Sequence, residues 1–237
     1  MCTVTIVPAG DGFRLCCNRD ERRDRAPALP PAVHHLPHRT AIFPVDPVGQ
    51  GTWVGVNDAG VAAVLLNRTI DSDAPIDKSL LRSRGLIIPR LLDGASLKDA
   101  LDISAALDPR NFDRFRLVVA QNTTAAVVIS NSVALSVELA KLSRPIMLTS
   151  SSRGDARVEG PRRRLFDHLF AGEERAWLRA QRRFHDHQWS HRRNISVRME
   201  RADATTVSHT IVNVSSRAIA LRYRALESVT SVEVTAA

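Results

Sequence analysis

The first eighteen residues, "MCTVTIVPAGDGFRLCCN", commit the chain to an antiparallel sheet before anything else is read. Residues 3–7 and 13–18 are strand-forming runs, and "PAGDG" between them is a turn signal. A hairpin centred on Gly10–Asp11 pairs Ile6 with Leu15, Val4 with Cys17 and Cys2 with Arg19. Opposed residues share one face of a sheet, so this register sets a thiol beside a guanidinium. A slip of one residue would undo that pairing.

The rest of the chain continues in blocks. Residues 22–50 are rich in Pro, Arg and His, have no period, and read as an irregular connection. Residues 52–56 and 61–67 read as a second hairpin about the "NDAG" turn, with Asn67 at its end. Apolar spacing predicts a helix over 78–93. A second follows over 97–106, with Ser96 as its cap. Strands are expected at 115–120, 125–130, 134–138 and from about 145. Helices are expected at 161–171, with Pro161 at the first helical position, and at 173–189. The last expected strands are 195–199, 206–214 and 219–224. Hairpins dominate and no βαβ alternation occurs, which predicts an α+β fold of antiparallel sheets with helices in outer layers. We read residues 1–237 as one domain.

Composition narrows the function classes. No stretch approaches the ~20 apolar residues of a membrane span, and no signal-peptide pattern opens the sequence, so the expected location is cytoplasmic. Three cysteines, two of them adjacent, make a poor disulfide framework. The formal charge is +8, and 13 arginines without a lysine fall between Arg153 and Arg201. With only 3 lysines in the chain, this reads as compositional bias and a solvated basic face. A nucleic-acid partner would want an aromatic platform, and Tyr223 is the one tyrosine. His185, His187 and His191 have spacings that a metal site could use, but no second ligand group accompanies them, so no metal is assigned.

Cys2 carries the chemistry. Removal of Met1 would expose a residue with both a thiol and an α-amine. An amine with pKa near ~7.7–8 can act as base for its own side chain. Such a site needs cationic or amide groups to lower the thiol pKa and hold an oxyanion. Arg19 and Asp20 stand on the paired strand. Read alone, "NRDE" would be a solvated turn, and Cys2 an inert thiol.

The "MC" start, "NRDE" at 18–21, "RAP" at 25–27, "GTWVGVN" at 51–57, "LLNR" at 65–68 and the serine-rich stretch from 149 resemble the NRDE family, also called the transport and Golgi organisation 2 family. That family is similar in fold to N-terminal nucleophile hydrolases of the choloylglycine hydrolase and penicillin V acylase type. The resemblance implies a four-layer αββα sandwich in which Cys2 is the nucleophile and Arg19 orients or ionises it. It further implies that Asp20 holds the amine, Asn67 is an oxyanion donor, and a late arginine, Arg201 or Arg198, enters the site. Asn18, Glu21, Thr52 and Trp53 are expected around the substrate. The hydrolases place a spacer between their arginine and aspartate, and this sequence has none.

The expected function is hydrolysis of, or acyl transfer from, a small acyl-amide substrate, with no cofactor. The alternative is a non-enzymatic protein that handles haem, acyl-CoA or another lipid in the same pocket. Either way the partner is a small anionic or acylated molecule.

Overall fold

The opening hairpin sits in the middle of a sheet. The computed structural model describes residues 2–70, 81–226 and 231–236. Strands β1 (Cys2–Ala9) and β2 (Gly12–Arg22) are joined by a turn in which Gly10 has φ +60°, a backbone conformation that glycine adopts without strain. Cys2 is paired with Arg19, Val4 with Cys17 and Ile6 with Leu15, the register expected from the sequence.

Thirteen strands form two antiparallel sheets among the described residues. After β1 and β2 come β3 (Leu29–His35), β4 (Thr40–Val45), β5 (Val54–Asn57), β6 (Ala62–Asn67), β7 (Phe115–Gln121), β8 (Thr124–Ser130) and β9 (Leu135–Lys141). These seven form one sheet in chain order. The other sheet has the order β10-β1-β2-β11-β12-β13, with β10 at Ile146–Thr149, β11 at Ala204–Val214, β12 at Ile219–Ala225 and β13 at Ser231–Ala236.

Alternation along β1 and β2 sorts their side chains. Cys2, Val4, Ile6, Leu15 and Cys17 join an apolar core with Val54, Val56, Val64 and Val118 of the other sheet. Helices α1 (Ile87–Leu91) and α2 (Leu97–Ala105) cover the outer face of the seven-stranded sheet through Ile88, Leu91, Leu92 and Ala100. Helices α3 (Ala156–Phe170) and α4 (Glu174–His185) cover the six-stranded sheet through Phe166, Phe170 and Phe184. The layers are therefore αββα, as the resemblance implied. No described helix is long and apolar enough to cross a membrane.

Several local expectations are corrected. Residues 22–50 contain β3 and β4. Pro30 and Pro31 lie in β3, an edge strand, where a missing N–H is tolerated. The expected 78–93 helix is a 3₁₀ turn at Arg84–Leu86 followed by α1, and its first three positions lie outside the described residues. Ser96 does cap α2, accepting from Asp99 N–H at 3.1 Å. Pro161 stands inside α3, which begins at Ala156. Helix α4 ends at His185, short of 189. The 195–199 segment is a 3₁₀ turn (Arg193–Ile195) and irregular chain, because side chains take its carbonyls: Arg162 bonds those of Ile195 and Ser196, and Asn18 bonds that of Val197.

Candidate active site

A cavity of about 690 Å³ opens at the end of the sheets where β1 begins. Cys2, Arg19, Glu21, Thr52, Trp53 and Asn67 all line it. Six of the nine residues singled out in the sequence thus meet around one space, contributed by β1, β2, the chain before β5 and the end of β6.

Cys2 is buried, and its backbone is fixed by the serine-rich segment after β10. Its nitrogen donates to Ser150 Oγ at 3.0 Å, and its carbonyl accepts from Ser150 N–H at 2.9 Å. The same segment reaches the other sheet. Asp155 accepts from Ser151 N–H at 2.8 Å and from Arg116 at 2.7 Å, and its own N–H donates to the carbonyl of Thr69. Thr69 lies two residues beyond Asn67, so one turn ties the cysteine to the strand end that carries the amide. A hydrogen bond from the Cys17 thiol draws the Cys2 thiol below its ordinary pKa against the effect of burial, and the Arg19 charge adds to it. Burial pushes Cys17 well up, so it stays a neutral donor.

Arg19 is buried and lies over the Trp53 ring, 4.3 Å from its centroid. Its Nη2 donates to Glu21 at 3.2 Å and to Asp46 at 3.0 Å. Asp46 also accepts from Arg25 Nη2 at 2.8 Å and from the N–H groups of Val48 and Gly49. Burial works against the charged form of Asp46, but the bonds from Arg25 and Gly49 hold its carboxyl below the usual range.

Asn18, Asp20 and Arg201 are elsewhere. Asn18 and Asp20 point to the opposite face of β2, against the helix layer. Asn18 bonds the carbonyls of His185 and Val197 and approaches His185 Nδ1 at 2.9 Å. Asp20 accepts from Thr206 Oγ1 at 2.6 Å, beside a β-bulge between Thr206 and Ser208. Burial pushes its carboxyl up, opposed by the charge of Arg162. Arg201 donates to Ser152 and pairs with Asp203; Arg198 is exposed.

Arg162 was not singled out in the sequence. It is 1% exposed and spends its fork on Thr3 and Thr149 hydroxyls and the carbonyls of Ile195 and Ser196. It sits in "PRRRLF", where nothing distinguishes it from its two neighbours except helical phase. Ser150 and Asp46 were equally silent, because their roles depend on segments distant in sequence. Among the described residues no group of three His, Cys, Asp or Glu side chains is arranged to hold a metal ion.

This architecture, with a cysteine heading a central strand of an αββα sandwich, is the fold of N-terminal nucleophile hydrolases. The chain is similar to penicillin V acylase from Agrobacterium tumefaciens, with TM-score 0.59 and 10% identity over 99% of this chain and 86% of that one. It is also similar to the Caenorhabditis elegans N-acylethanolamine-hydrolyzing acid amidase ortholog, with TM-score 0.58 and 15% identity over 88% and 91%. A variant of conjugated bile acid hydrolase from Clostridium perfringens gives TM-score 0.55 and 12% identity over 98% and 92%. No curated protein matches the chain in sequence. Residues 1–165 match the Transport and Golgi organisation 2 family, and the chain belongs to it.

Proposed function

We propose that this chain is a cysteine N-terminal nucleophile amidohydrolase or acyltransferase, active on a small acyl-amide after removal of Met1. One observation carries the reading: Cys2, Arg19 and Asn67 share one cavity while Ser150 holds the Cys2 nitrogen. The freed α-amine takes the proton from Sγ, and Sγ attacks the amide carbonyl carbon. Asn67 donates to the oxyanion. The amine returns its proton to the leaving nitrogen as the C–N bond breaks, leaving a thioester on Cys2. Water or an acceptor amine then attacks the thioester and regenerates the thiol. Arg19 acts on the thiol from the same face. Asp20 and Arg201 do not line the cavity; Asp20 acts by charge on the amino terminus and on the Cys2 thiol, while Ser150 accepts from the Cys2 nitrogen. Glu21, Thr52 and Trp53 form the wall against which substrate lies. All of this chemistry is available without a cofactor, and the proposed location is cytoplasmic.

A carrier of haem, acyl-CoA or another lipid in the same cavity is the competing reading. The arginines of the cavity favour an anionic ligand there too. No histidine lines the cavity among the described residues, so iron ligation would fall to Cys2. Intact-mass spectrometry before and after exposure to activated acyl donors separates the two. The enzyme reading expects loss of Met1 and one acyl adduct that vanishes in Cys2→Ala. Retained Met1, or an adduct unaffected by Cys2→Ala, would overturn it.

A further inference from the structure

The charges that line the cavity do not cancel where they stand. Arg19 and Arg25 face Glu21 and Asp46 in a closed cluster, with Arg19–Asp46 at 3.0 Å, Arg25–Asp46 at 2.8 Å, Arg19–Glu21 at 3.2 Å and Arg25–Glu21 at 3.7 Å. Two cations meet two anions there. The remaining charged lining residues are Arg82, Arg84 and Asp113, so the far wall carries two cations and one anion among the described residues. Arg84 stands 3.5 Å from Asp113 and donates to the Arg114 carbonyl at 2.8 Å. Arg82 is exposed.

The backbone fixes these two arginines on the cavity wall. Thr52 N–H donates to the Gly85 carbonyl at 3.1 Å. Gly51 and Gly85 touch so closely that a Cβ on Gly51 would lie 2.3 Å from the Gly85 carbonyl carbon. Only glycine lets the two segments approach this far. Arg82 N–H is anchored in turn to the Asn111 carbonyl at 2.9 Å. The cationic segment is therefore pinned to the stretch that carries Thr52 and Trp53. Burial also lowers the pKa of Arg84, as expected where Asp113 only partly compensates its charge. Leu65, Leu81 and Trp53 give the same cavity apolar wall.

We propose that Arg82 and Arg84 form a carboxylate-binding subsite, and that the substrate is an acyl-amide with an apolar chain and one carboxylate. This deepens the nucleophile reading and rests on it. Among the described residues, the surplus of one positive charge matches a monoanion, and the planar guanidinium fork suits a carboxylate.

The test uses the full chain and four amide probes with eight-carbon acyl chains. N-octanoylglycine bears its carboxylate on the amine side, and suberic acid monoanilide bears it on the acyl side. N-octanoylglycinamide and octanoyl anilide are their neutral counterparts. Binding is measured by titration calorimetry on Cys2→Ala protein, which cannot turn over, and cleavage on the unsubstituted protein. At least one acid is expected to bind tenfold or more tighter than its neutral counterpart and to show the larger kcat/KM; which acid does so locates the subsite. The double variant Arg82→Ala, Arg84→Ala should bring that ratio within about twofold of unity, and Arg84→Lys should keep most of it. Equal affinity of acids and neutral probes, or a preference that survives the double variant, would overturn the proposal. The nucleophile reading is scored separately, by whether neutral p-nitrophenyl octanoate acylates Cys2. An adduct without charge preference sinks the subsite alone, and no adduct sinks the reading beneath it.

Discussion

Replacing Arg162 with methionine should cost this fold more than any surface arginine, and its size can be worked from contacts. The guanidinium is 1% exposed and makes four bonds. The Thr3 and Thr149 hydroxyls, 3.2 Å apart, can still pair with each other, so their loss is small. The carbonyls of Ile195 and Ser196 lose a charged donor, at roughly 1 kcal/mol or more each. Asp20 loses the first of its compensating charges. Two lost charged donors and one lost compensating charge together cost about 3 kcal/mol. For a chain of this size each kcal/mol shifts Tm by roughly 2–4 °C, so a fall of about 10 °C is expected. Differential scanning calorimetry measures it. Adding Asp20→Asn to Arg162→Met should recover part of the loss, because the stranded carboxylate is then neutral. The pH dependence has a definite sign. A carboxyl whose folded-state pKa is raised favours the folded protein at low pH and loses that contribution as pH rises through the folded pKa. The Arg162→Met deficit should therefore shrink as pH falls toward 5. Should Arg162→Met stay within about 2 °C of the parent, or the double variant gain nothing over the single one, the bridging role of this arginine and its charge support of Asp20 are wrong. If Arg162→Met does not fold, Arg162→Lys keeps the charge without the fork and should fall between the two.

Three further outcomes are expected. His209 is buried with its pKa lowered to about 4, and its stacked neighbour His185 is lowered in the same direction by burial. Stability that is present above about pH 6.5 should be lost as pH falls toward 4, by about 3 kcal/mol for His209, and His209→Gln should flatten the melting-temperature profile over that window. Cys17→Ala removes the hydrogen bond that draws the Cys2 thiol down, so the pH midpoint for iodoacetamide alkylation of Cys2 should rise; Cys16→Ala, which leaves that bond in place, should not move it. Gly51→Ala forces a Cβ against the Gly85 backbone and should cost about 1–3 kcal/mol, more than Gly85→Ala, whose Cβ would come no closer than 3.1 Å to Thr52. Equal melting temperatures for the two glycine variants would contradict the close approach.

The parts of the fold that could be read in the sequence are those fixed by local pattern. Two strand-forming runs about a glycine turn have one comfortable register, and the Cys2–Arg19 pairing follows from it. Residues 29–45 failed as strands because their prolines and histidines hide the period. The register slip between Leu29 and Ala32 breaks it further. His34 stacks on Phe43 with 3.8 Å between ring centroids, which no composition rule reveals. Residues 195–199 failed in the opposite direction. "ISVRM" alternates like a strand, yet Arg162 and Asn18 take three of its carbonyls, and a ladder needs those carbonyls free. At the candidate site, Cys2 and Arg19 were legible from the hairpin register, and the role of Asn67 only from the family resemblance. Ser150, Asp46 and Arg162 act across more than 20 residues of chain, and only the packed sheets bring them in.

The alternation of a strand explains why "NRDE" reads as one motif yet does two jobs. Arg19 and Glu21 line the cavity, while Asn18 bonds the carbonyls of His185 and Val197 and Asp20 accepts from Thr206 of β11. Without a spacer residue, Arg19 and Asp20 cannot both face the thiol, and the bulge opposite Asp20 lies on β11 rather than on β2. The consequence is that changes at the four positions separate by parity. Asn18 and Asp20 variants should lower stability first. The conservative variants Arg19→Lys and Glu21→Gln should change reactivity at Cys2 while leaving the melting temperature closer to the parent. Activity and unfolding measured on the same four variants distinguish a split motif from a four-residue active site, which would lose activity alike at every position.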